Sequence, residues 1–464
     1  MTEQPTLPPS AENDKLDFKI VLPIFAIVFV DLLGLTIIIP VLPYYATAFG
    51  ANALMIGALS AAYPLMQFIG GPLLGGLSDR FGRKPVLIVS QIGTLAGFIV
   101  MGFASSLWLL FLARLIDGLS GGNIATAQAA LTDVTTPRNR AQGLGLIGAA
   151  FGLGFIIGPV ISAITLSLSG NDYRIPAFVA AGFSLLAITL TALIFRETLP
   201  ADKRHAQAAA MTQNPFSRML QAARHPMVGI LFVVIFMQQV VFGSFQSMFA
   251  PFTLNRLGLN SVGNAAAFTF VGVIIVIVQG RLIGPLSRRF GERRLIYTGL
   301  GLLAIGLVVM ALIPRQPAPW YDREALIEEL NSARSIGAAS EGVTQTEPAA
   351  IELPDESSSG WLGIVWLLAT LIPIAAGSSI LQPSASSLIT KRVDRREVGS
   401  ILGVNAAFLS AANTIGPLLG GAAFSLIGPP APFLVGGILM ALLLWLALRR
   451  VRPGPEENLQ QAAA

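Results

Sequence analysis

Long apolar runs, separated by short polar and charged segments, recur along the whole chain. A transmembrane helix requires about 20 consecutive apolar residues, because the hydrocarbon core of a bilayer is about 30 Å thick and each residue advances a helix by about 1.5 Å. Twelve runs reach or approach that length, and the pattern predicts an all-α polytopic membrane protein. These predicted spans 1 to 12 are residues 20–41, 54–77, 86–105, 107–132, 141–168, 175–195, 227–253, 262–286, 295–313, 360–389, 398–427 and 430–449.

The charged segment between spans 2 and 3, residues 75–85, has a degenerate copy between spans 8 and 9, residues 284–294. Gly158-Pro159 in span 5 likewise corresponds to Gly416-Pro417 in span 11. The chain is therefore a duplication, which predicts two pseudo-symmetric six-helix bundles around one central site. Many secondary transporters have this arrangement.

The duplication divides the chain between spans 6 and 7, where a polar linker carries both histidines, His205 and His225. The predicted organisation is a disordered cytoplasmic N-terminus at 1–17, an N-terminal bundle at 18–195, a cytoplasmic linker at 196–226, a C-terminal bundle at 227–452 and a cytoplasmic tail at 453–464.

A polar insertion at residues 314–359 separates spans 9 and 10, with nine acidic and three basic residues. This composition favours a solvated extracytoplasmic loop, in which residues 321–334 could form a short surface helix. A lid or a partner site on the exit side is the alternative.

Composition supports a protein of the bilayer, since 53% of the residues are apolar and only 12% are charged. A soluble domain would carry about twice that charged fraction. Basic residues concentrate on one side, which predicts a plasma-membrane protein with both termini in the cytoplasm. The opposite side has only Arg174, Arg256, Arg315, Arg323 and Arg334.

The net charge of +5 therefore reflects topology, and no nucleic-acid partner is expected. The chain has no cysteine, which excludes disulfides and thiolate metal sites. We expect a monomer without cofactor or metal, whose partners are the lipid bilayer, protons and a small-molecule substrate.

Four motifs are similar to those of a known transporter family. They are Gly75-x-x-x-Asp79-Arg80-x-Gly82-Arg83-Lys84, Arg114-x-x-Asp117-Gly118-x-x-Gly121-Gly122, Gly154-x-x-x-Gly158-Pro159, and Asp31 followed by Ile39-Pro40-Val41-Leu42-Pro43. The first resembles the signature loop of the major facilitator superfamily. The second and third resemble motifs of its twelve-helix drug/proton antiporter branch, and the fourth resembles span 1 of bacterial tetracycline/proton antiporters. The resemblance covers residues 18–452 and implies the major facilitator fold, with proton-coupled efflux of small lipophilic or drug-like compounds.

The resemblance assigns the first motif, with Gly75, Arg80, Gly82 and Lys84, to a latch at the cytoplasmic face. Asp79 would meet the positive end of the span 11 helix dipole, and Arg83 would pair with Asp133 at the end of span 4. A simple topology signal is the alternative. In the second copy Arg288 replaces the aspartate, so only the first copy is expected to form this latch.

Span 5 is expected to act as a hinge. Small residues let helices approach closely, and glycine and proline allow a helix to bend. The residues that carry this expectation are Gly154, Gly158 and Pro159.

Asp31 lies about twelve residues into span 1, near the middle of the bilayer. An ionisable residue at this depth is costly and is a functional hypothesis by default. We expect Asp31 to carry the coupled proton, with a structural hydrogen bond as the alternative. Arg114 and Asp117 share a helix face. They could pair with each other, or Arg114 could reach Asp31 and promote proton release.

The chain departs from the tetracycline antiporters at two positions. Those proteins carry an aspartate in span 3 and a histidine in span 8, where this chain has Gly97 and Ile275. The substrate therefore need not be tetracycline. Arg281 in span 8 could extend to the interface or bind a substrate or anion.

Polar and aromatic residues in several spans predict the substrate cavity, with ordinary helix packing as the alternative for each. They are Tyr63, Gln67, Asn123, Gln238, Phe242, Phe245, Gln246, Phe249, Ser379 and Gln382. A cavity of amides and aromatic rings suits a lipophilic compound. A carrier of a metabolite or lipid, and a receptor that binds without transport, are the alternatives. A membrane enzyme is not expected, because no paired histidines or clustered acidic metal ligands occur in the spans.

Overall fold

The computed structural model describes residues 18–136, 140–200, 204, 229–338, 351–392 and 398–451. Over these residues the chain is helical and contains no strand. The predicted disordered N-terminus, the C-terminal tail and most of the linker, with both histidines, lie outside the described residues.

Twelve long helices correspond to the predicted spans. They are Phe18–Ile38, Ala53–Phe81, Arg83–Gly102, Leu107–Asp133, Arg140–Ser169, Arg174–Leu193, Gly229–Leu257, Ser261–Phe290, Glu292–Ala311, Leu362–Lys391, Val398–Leu426 and Ala431–Arg450. Within the described part of the chain, eleven of them are long and apolar enough to cross a membrane. The other, Val398–Leu426, has 29 residues and packs against spans 2 and 7. The predicted all-α fold is confirmed.

Span 4 is divided into helices Leu107–Ser120 and Asn123–Asp133. The break falls at Gly121-Gly122, because glycine has low helix propensity. Span 2 packs into the gap: a Cβ on Gly121 would lie 2.6 Å from the hydroxyl oxygen of Tyr63. Gln67 Nε2 donates a hydrogen bond of 2.9 Å to the carbonyl oxygen of Gly121, so the interrupted backbone remains paired.

Among the described residues, the two bundles meet mainly along two helix pairs, span 2 with span 11 and span 5 with span 8. The membrane side that carries residues 314–359 is called the insertion side below, and the side of residues 75–85 the charged-loop side. On the insertion side, a Cβ on Gly57 of span 2 would lie 2.4 Å from the carbonyl oxygen of Pro417 in span 11. Near the middle of the other pair, a Cβ on Gly272 would lie 2.7 Å from the Phe155 carbonyl oxygen.

Toward the charged-loop side the same helices have open space beside their glycines. A Cβ would meet nothing within 4 Å at Gly71 and Gly75 of span 2, or at Gly280 and Gly284 of span 8. The described glycines thus show close contact between the halves on the insertion side, and no such contact at these four positions on the charged-loop side.

The described part of the insertion contains the helix that was expected at residues 321–334, and one face of this helix packs on the protein instead of being solvated. Helix Arg323–Ala338 buries Leu326 and Leu330, which are 4% and 6% exposed, in the main apolar core. These two residues are four apart and so lie on one helix face. The high acidic content concealed this short apolar stripe in the sequence.

The close contact at Gly57 predicts a difference between two glycine substitutions in one helix. Gly57→Ala should lower the melting temperature of the purified protein, because overpacking costs about 1–3 kcal/mol. Gly71→Ala, where the methyl group meets open space, is the control and should be neutral or slightly stabilising. Equal melting temperatures for the two variants would contradict the close packing of spans 2 and 11.

Candidate functional site

Asp31 lies in span 1 and receives one hydrogen bond, from Asn123 Nδ2 to its Oδ2 at 2.7 Å. Its other oxygen, Oδ1, is buried and has no hydrogen-bond partner among the described residues. Asp31 and Asn123 line a small cavity with Gln91 of span 3. The carboxyl group is thus held by a neutral amide, and gain or loss of one proton changes the net charge of this cavity.

Arg114 and Asp117 form an ion pair inside the N-terminal bundle, with 2.9 Å between Arg114 Nη1 and Asp117 Oδ2. Both residues are buried, at 5% and 2% exposure. The guanidinium carbon of Arg114 lies 4.6 Å from the centre of the Tyr63 ring, close enough for a cation–π contact. In this conformation Arg114 therefore pairs with Asp117, the first of the two arrangements expected from the sequence.

Gly97 of span 3 faces Asp117. A Cβ on Gly97 would lie 2.9 Å from Cβ of Asp117. The carboxyl group beside position 97 is therefore that of Asp117 in span 4. A larger side chain at position 97 of span 3 would displace it. Ile275, the other departure from the tetracycline antiporters, packs against the apolar core.

Span 2 connects these groups, since Gln67 Nε2 lies 3.3 Å from the Tyr63 hydroxyl oxygen and binds the break in span 4. Spans 1, 2 and 4 thus bring together six residues predicted from the sequence, called the polar cluster below. Its members are Asp31, Tyr63, Gln67, Arg114, Asp117 and Asn123.

The predicted cavity residues of span 7 lie in the C-terminal bundle. Phe245 and Phe249 are buried and pack against Phe433 and Phe268, with ring centres 6.2 and 5.1 Å apart respectively. Phe242 packs against Phe245. Phe245 and Phe249 form part of the apolar core in this conformation, and the partly buried Phe242 packs against it. The role of the three rings in substrate binding stays a prediction.

The remaining predicted residues also lie apart from the polar cluster. Gln238 Oε1 and Gln246 Nε2 are buried and have no hydrogen-bond partner within the described chain. Ser379 donates a hydrogen bond of 2.6 Å to the Ala375 carbonyl of its own helix, and Gln382 is partly buried. Their role in substrate binding stays a prediction.

The predicted hinge in span 5 packs on span 1. A Cβ on Gly158 would lie 2.3 Å from Thr36 Oγ1, and a Cβ on Gly154 would lie 3.5 Å from the same side chain. Helix Arg140–Ser169 continues through Pro159. The glycines therefore allow span 5 to approach the helix that carries Asp31, whereas bending at this point stays a prediction.

At the charged-loop side, Arg83 binds two carboxylates. Its Nε lies 2.9 Å from Asp133 Oδ2, and its Nη1 lies 2.6 Å from Asp79 Oδ1. The Arg83–Asp133 contact is the one that the family resemblance implies. The first side chains of span 11 lie outside the described residues, so a contact between Asp79 and span 11 stays a prediction.

Glu197, after span 6, completes this network and was missed from the sequence. Its carboxylate accepts hydrogen bonds from the backbone N–H groups of Arg83 and Lys84, at 2.9 and 3.2 Å. A Cβ on Gly82, whose φ is +103°, would lie 2.4 Å from Glu197 Oε2. The positive φ favours glycine here, and a side chain would also displace the Glu197 carboxylate. The sequence signal that could have identified Glu197 is its position, as an acidic residue beside Arg196 at the end of span 6.

The other predicted residues of this motif lie around the network. Lys84 Nζ donates to the Ala192 carbonyl at 2.7 Å. Arg80 is exposed and lies over the Phe81 ring, and the carbonyl oxygen of Gly75 accepts a hydrogen bond from Ser78. These residues therefore contact the charged loop and its neighbouring helix ends but do not take part in the Arg83 ion pairs.

The second copy of the motif forms a corresponding contact with reversed charges. Glu292 occupies the repeat position of Arg83 and forms an ion pair with Lys391 at the end of span 10. Ser287, at the repeat position of Ser78, donates to Glu292 Oε1 at 3.1 Å. The second copy thus has an ion pair that the sequence analysis did not anticipate, because the partner's charge is inverted together with that of the motif residue. The expectation that only the first copy forms the latch stays a prediction.

Several curated proteins are similar to this chain over most of its length. The "Tetracycline resistance protein, class H" of Pasteurella multocida is 28% identical, over 92% of this chain and 95% of that protein. The "Multidrug resistance protein 2" of Bacillus subtilis (strain 168) is 26% identical, over 91% and 92%.

Solved transporter structures share the fold at low sequence identity. The human organic anion transporter MFSD10 (TETRAN) is 21% identical with a TM-score of 0.62, over 92% of this chain and 99% of that one. The nucleoside transporter NupG is 12% identical with a TM-score of 0.65, over 95% and 100%.

The family model of the Major Facilitator Superfamily matches residues 24–326 and 357–464. The predicted fold and family are thereby confirmed, and the chain is a membrane transporter rather than an enzyme. This protein belongs to the major facilitator superfamily.

Proposed function

We propose that this protein is a proton-coupled exporter of small lipophilic or drug-like compounds in the plasma membrane, with both termini in the cytoplasm. The observation that carries the proposal is the Asp31 carboxyl group, held in the membrane interior by the neutral amide of Asn123 and without an ion-pair partner among the described residues. Such a group can bind and release a proton during each cycle.

The polar cluster contains a cation, Arg114, that could stabilise the ionised form of the Asp31 carboxyl group. Arg114 keeps its charge under all physiological conditions, and it now pairs with Asp117. If Arg114 moved toward Asp31 it would favour the ionised carboxylate there, since an opposite charge nearby stabilises the ion. We infer that exchange of Arg114 between the two carboxylates links proton release to movement of the helices.

The close contact on the insertion side gives this cycle a direction. If the charged-loop side is cytoplasmic, as the distribution of basic residues predicts, the contact at Gly57 lies on the outer side, and we infer that the structure represents a state closed to the outside. A compound would then enter from the cytoplasm as Asp31 releases its proton. A proton from the outside would reload Asp31 after the compound leaves.

The substrate class is inferred from the similar proteins and from the polar cluster. Relatives over most of the chain carry the names tetracycline and multidrug resistance protein. The polar cluster offers amides and a tyrosine, with its one cation already paired. Gly97 and Ile275 stand where tetracycline antiporters carry ionisable residues, so a lipophilic compound other than tetracycline fits this site better.

The direct test is transport into proteoliposomes that contain only the purified protein. A panel including tetracycline and lipophilic cationic dyes would be added outside vesicles with an acidic interior. Outward flow of protons should drive uphill uptake of at least one compound, and nigericin, which collapses the pH gradient, should abolish it. Equal uptake of every transported compound with and without the gradient would contradict proton coupling.

Asp31→Asn should abolish uptake driven by the pH gradient, because an amide cannot carry the proton. Substrate exchange between the two sides, which needs no net proton transfer, should remain. Asp355→Asn, which changes an exposed aspartate of the insertion, is the matched control and should transport normally. Uphill transport by Asp31→Asn at the parent rate would remove Asp31 from the mechanism.

Arg83→Ala should reduce transport on the order of ten-fold or more without loss of expression, because it leaves Asp79 and Asp133 without their shared counter-charge at the ends of spans 2 and 4. The second copy of the motif suggests its rescue. Asp79→Arg, Arg83→Glu and Asp133→Lys together reproduce the charges of Arg288, Glu292 and Lys391, and should transport better than Arg83→Ala or Arg83→Glu. A triple variant that folds but transports less than Arg83→Ala and Arg83→Glu would show that the two networks are not interchangeable.

A further inference from the structure

Glu329 of the insertion helix is a buried carboxylate, 8% exposed, that accepts hydrogen bonds from both halves of the protein. The Tyr173 hydroxyl donates to Oε1 at 2.8 Å, and Asn171 Nδ2 donates to Oε2 at 3.0 Å. Ser261 Oγ donates to Oε1 at 2.7 Å. Asn171 and Tyr173 lie between spans 5 and 6, whereas Ser261 begins span 8, so Glu329 joins the two halves of the protein.

The insertion itself is anchored to the C-terminal half. The Ala318 N–H donates to the Leu257 carbonyl at 2.9 Å, and Asn255 Nδ2 donates to the Glu352 carbonyl at 2.8 Å. Both partners belong to the end of span 7. The helix of the insertion packs on Leu42–Ala48 of the N-terminal half. We therefore expect the insertion to move with the C-terminal half when the halves separate on this side, and to leave that segment, Asn171 and Tyr173 behind.

Other hydrogen bonds across the same seam are neutral. Tyr44 Oη donates to the Leu259 carbonyl at 2.6 Å, and Asn264 Nδ2 donates to the Pro40 carbonyl at 3.0 Å. Hydrogen bonds to an ionised carboxylate are roughly twice as strong as neutral ones. Burial raises the pKa of Glu329 above its usual value, and the bonds from Ser261 and Tyr173 act against that rise by stabilising the ionised form.

The local backbone presents the donors to Glu329. Gly170 and Asn171 both have φ near +65° after the end of span 5. Asparagine is one of the few residues other than glycine that enters this region readily. The resulting turn brings the Asn171 amide and the Tyr173 ring to the same carboxylate.

This contact is absent from the pattern that defines the family. The family model leaves residues 327–356 unmatched, and Glu329 lies within that segment. Its role therefore cannot be inherited from the shared motifs.

We propose that Glu329 is a gate residue, whose hydrogen bonds to Asn171 and Tyr173 hold the insertion side closed and break each time that side opens. The insertion then takes part in each transport cycle, because its contacts with the N-terminal half break and form again. The inference rests on the alternate opening of the two halves in the proposed function, but not on the identity of the substrate or the coupling ion.

The absence of cysteine allows a direct test, because one introduced thiol reports without background. Val41→Cys is the reporter: Val41 is 1% exposed and follows Pro40, whose carbonyl binds Asn264 of the other half. A membrane-impermeant maleimide, added from the insertion side without substrate, labels this thiol at a rate that follows the fraction of open molecules.

Two variants weaken the gate from its two sides, Glu329→Ala and Tyr173→Phe. Each should raise the labelling rate about ten-fold or more, as expected for loss of hydrogen bonds to a buried charged group. Glu328→Ala removes the neighbouring, exposed carboxylate of the same helix and should leave the rate unchanged. The double variant should show less than the product of the two single effects, because both remove the same contact.

A second reporter separates opening from general loosening. Leu131→Cys lies in the core of the N-terminal bundle, 1% exposed and close to the charged-loop side, and its slow labelling should not change in either variant. The proposal is overturned if Val41→Cys labels at the parent rate in both variants. It is overturned equally if both reporters accelerate together. Because no substrate is added, either result is independent of the transport assays.

Discussion

Charged groups in the interior of a membrane protein must find partners within the protein, because the bilayer supplies no water to solvate them. The N-terminal bundle meets this constraint by pairing Arg114 with Asp117 and by holding Arg83 between Asp79 and Asp133. Asp31 has only a neutral amide as its partner in the described structure. The remaining account depends on that difference, since a carboxyl group that lacks a fixed counter-charge can exchange a proton while the paired groups maintain the structure.

The two faces of the protein differ in their chemistry. On the charged-loop side, each half contains its own ion-pair network, and the second has the charges of the first reversed. On the insertion side, direct helix contact at Gly57 and hydrogen bonds across the seam join the halves. Movement of one half against the other would therefore break the contacts on the insertion side while each ion-pair network stays within its own half, and alternate access to a central site requires such a movement.

The sequence predicted the features that are local or repeated. Apolar length defined the spans, and the repeated motif identified the duplication and drew attention to Arg83. Contacts between distant residues were not predictable in this way. Glu292 and Lys391 are 99 positions apart, and Tyr173 and Glu329 are 156 apart, so neither pair has a periodic signal. The insertion was misjudged because nine acidic residues outweighed an apolar stripe of two leucines, and composition does not indicate which face of a helix is buried.

The central claim is that compound and proton cross the membrane in opposite directions through one site. Its most direct measurement is the internal pH of proteoliposomes that contain a pH-sensitive dye and are preloaded with a transported compound, then diluted into compound-free buffer of equal pH. The account predicts that the interior becomes more acidic as the compound leaves, at a rate proportional to its efflux. Protein-dependent efflux of the compound with no change in internal pH, while the membrane potential is clamped, would contradict it.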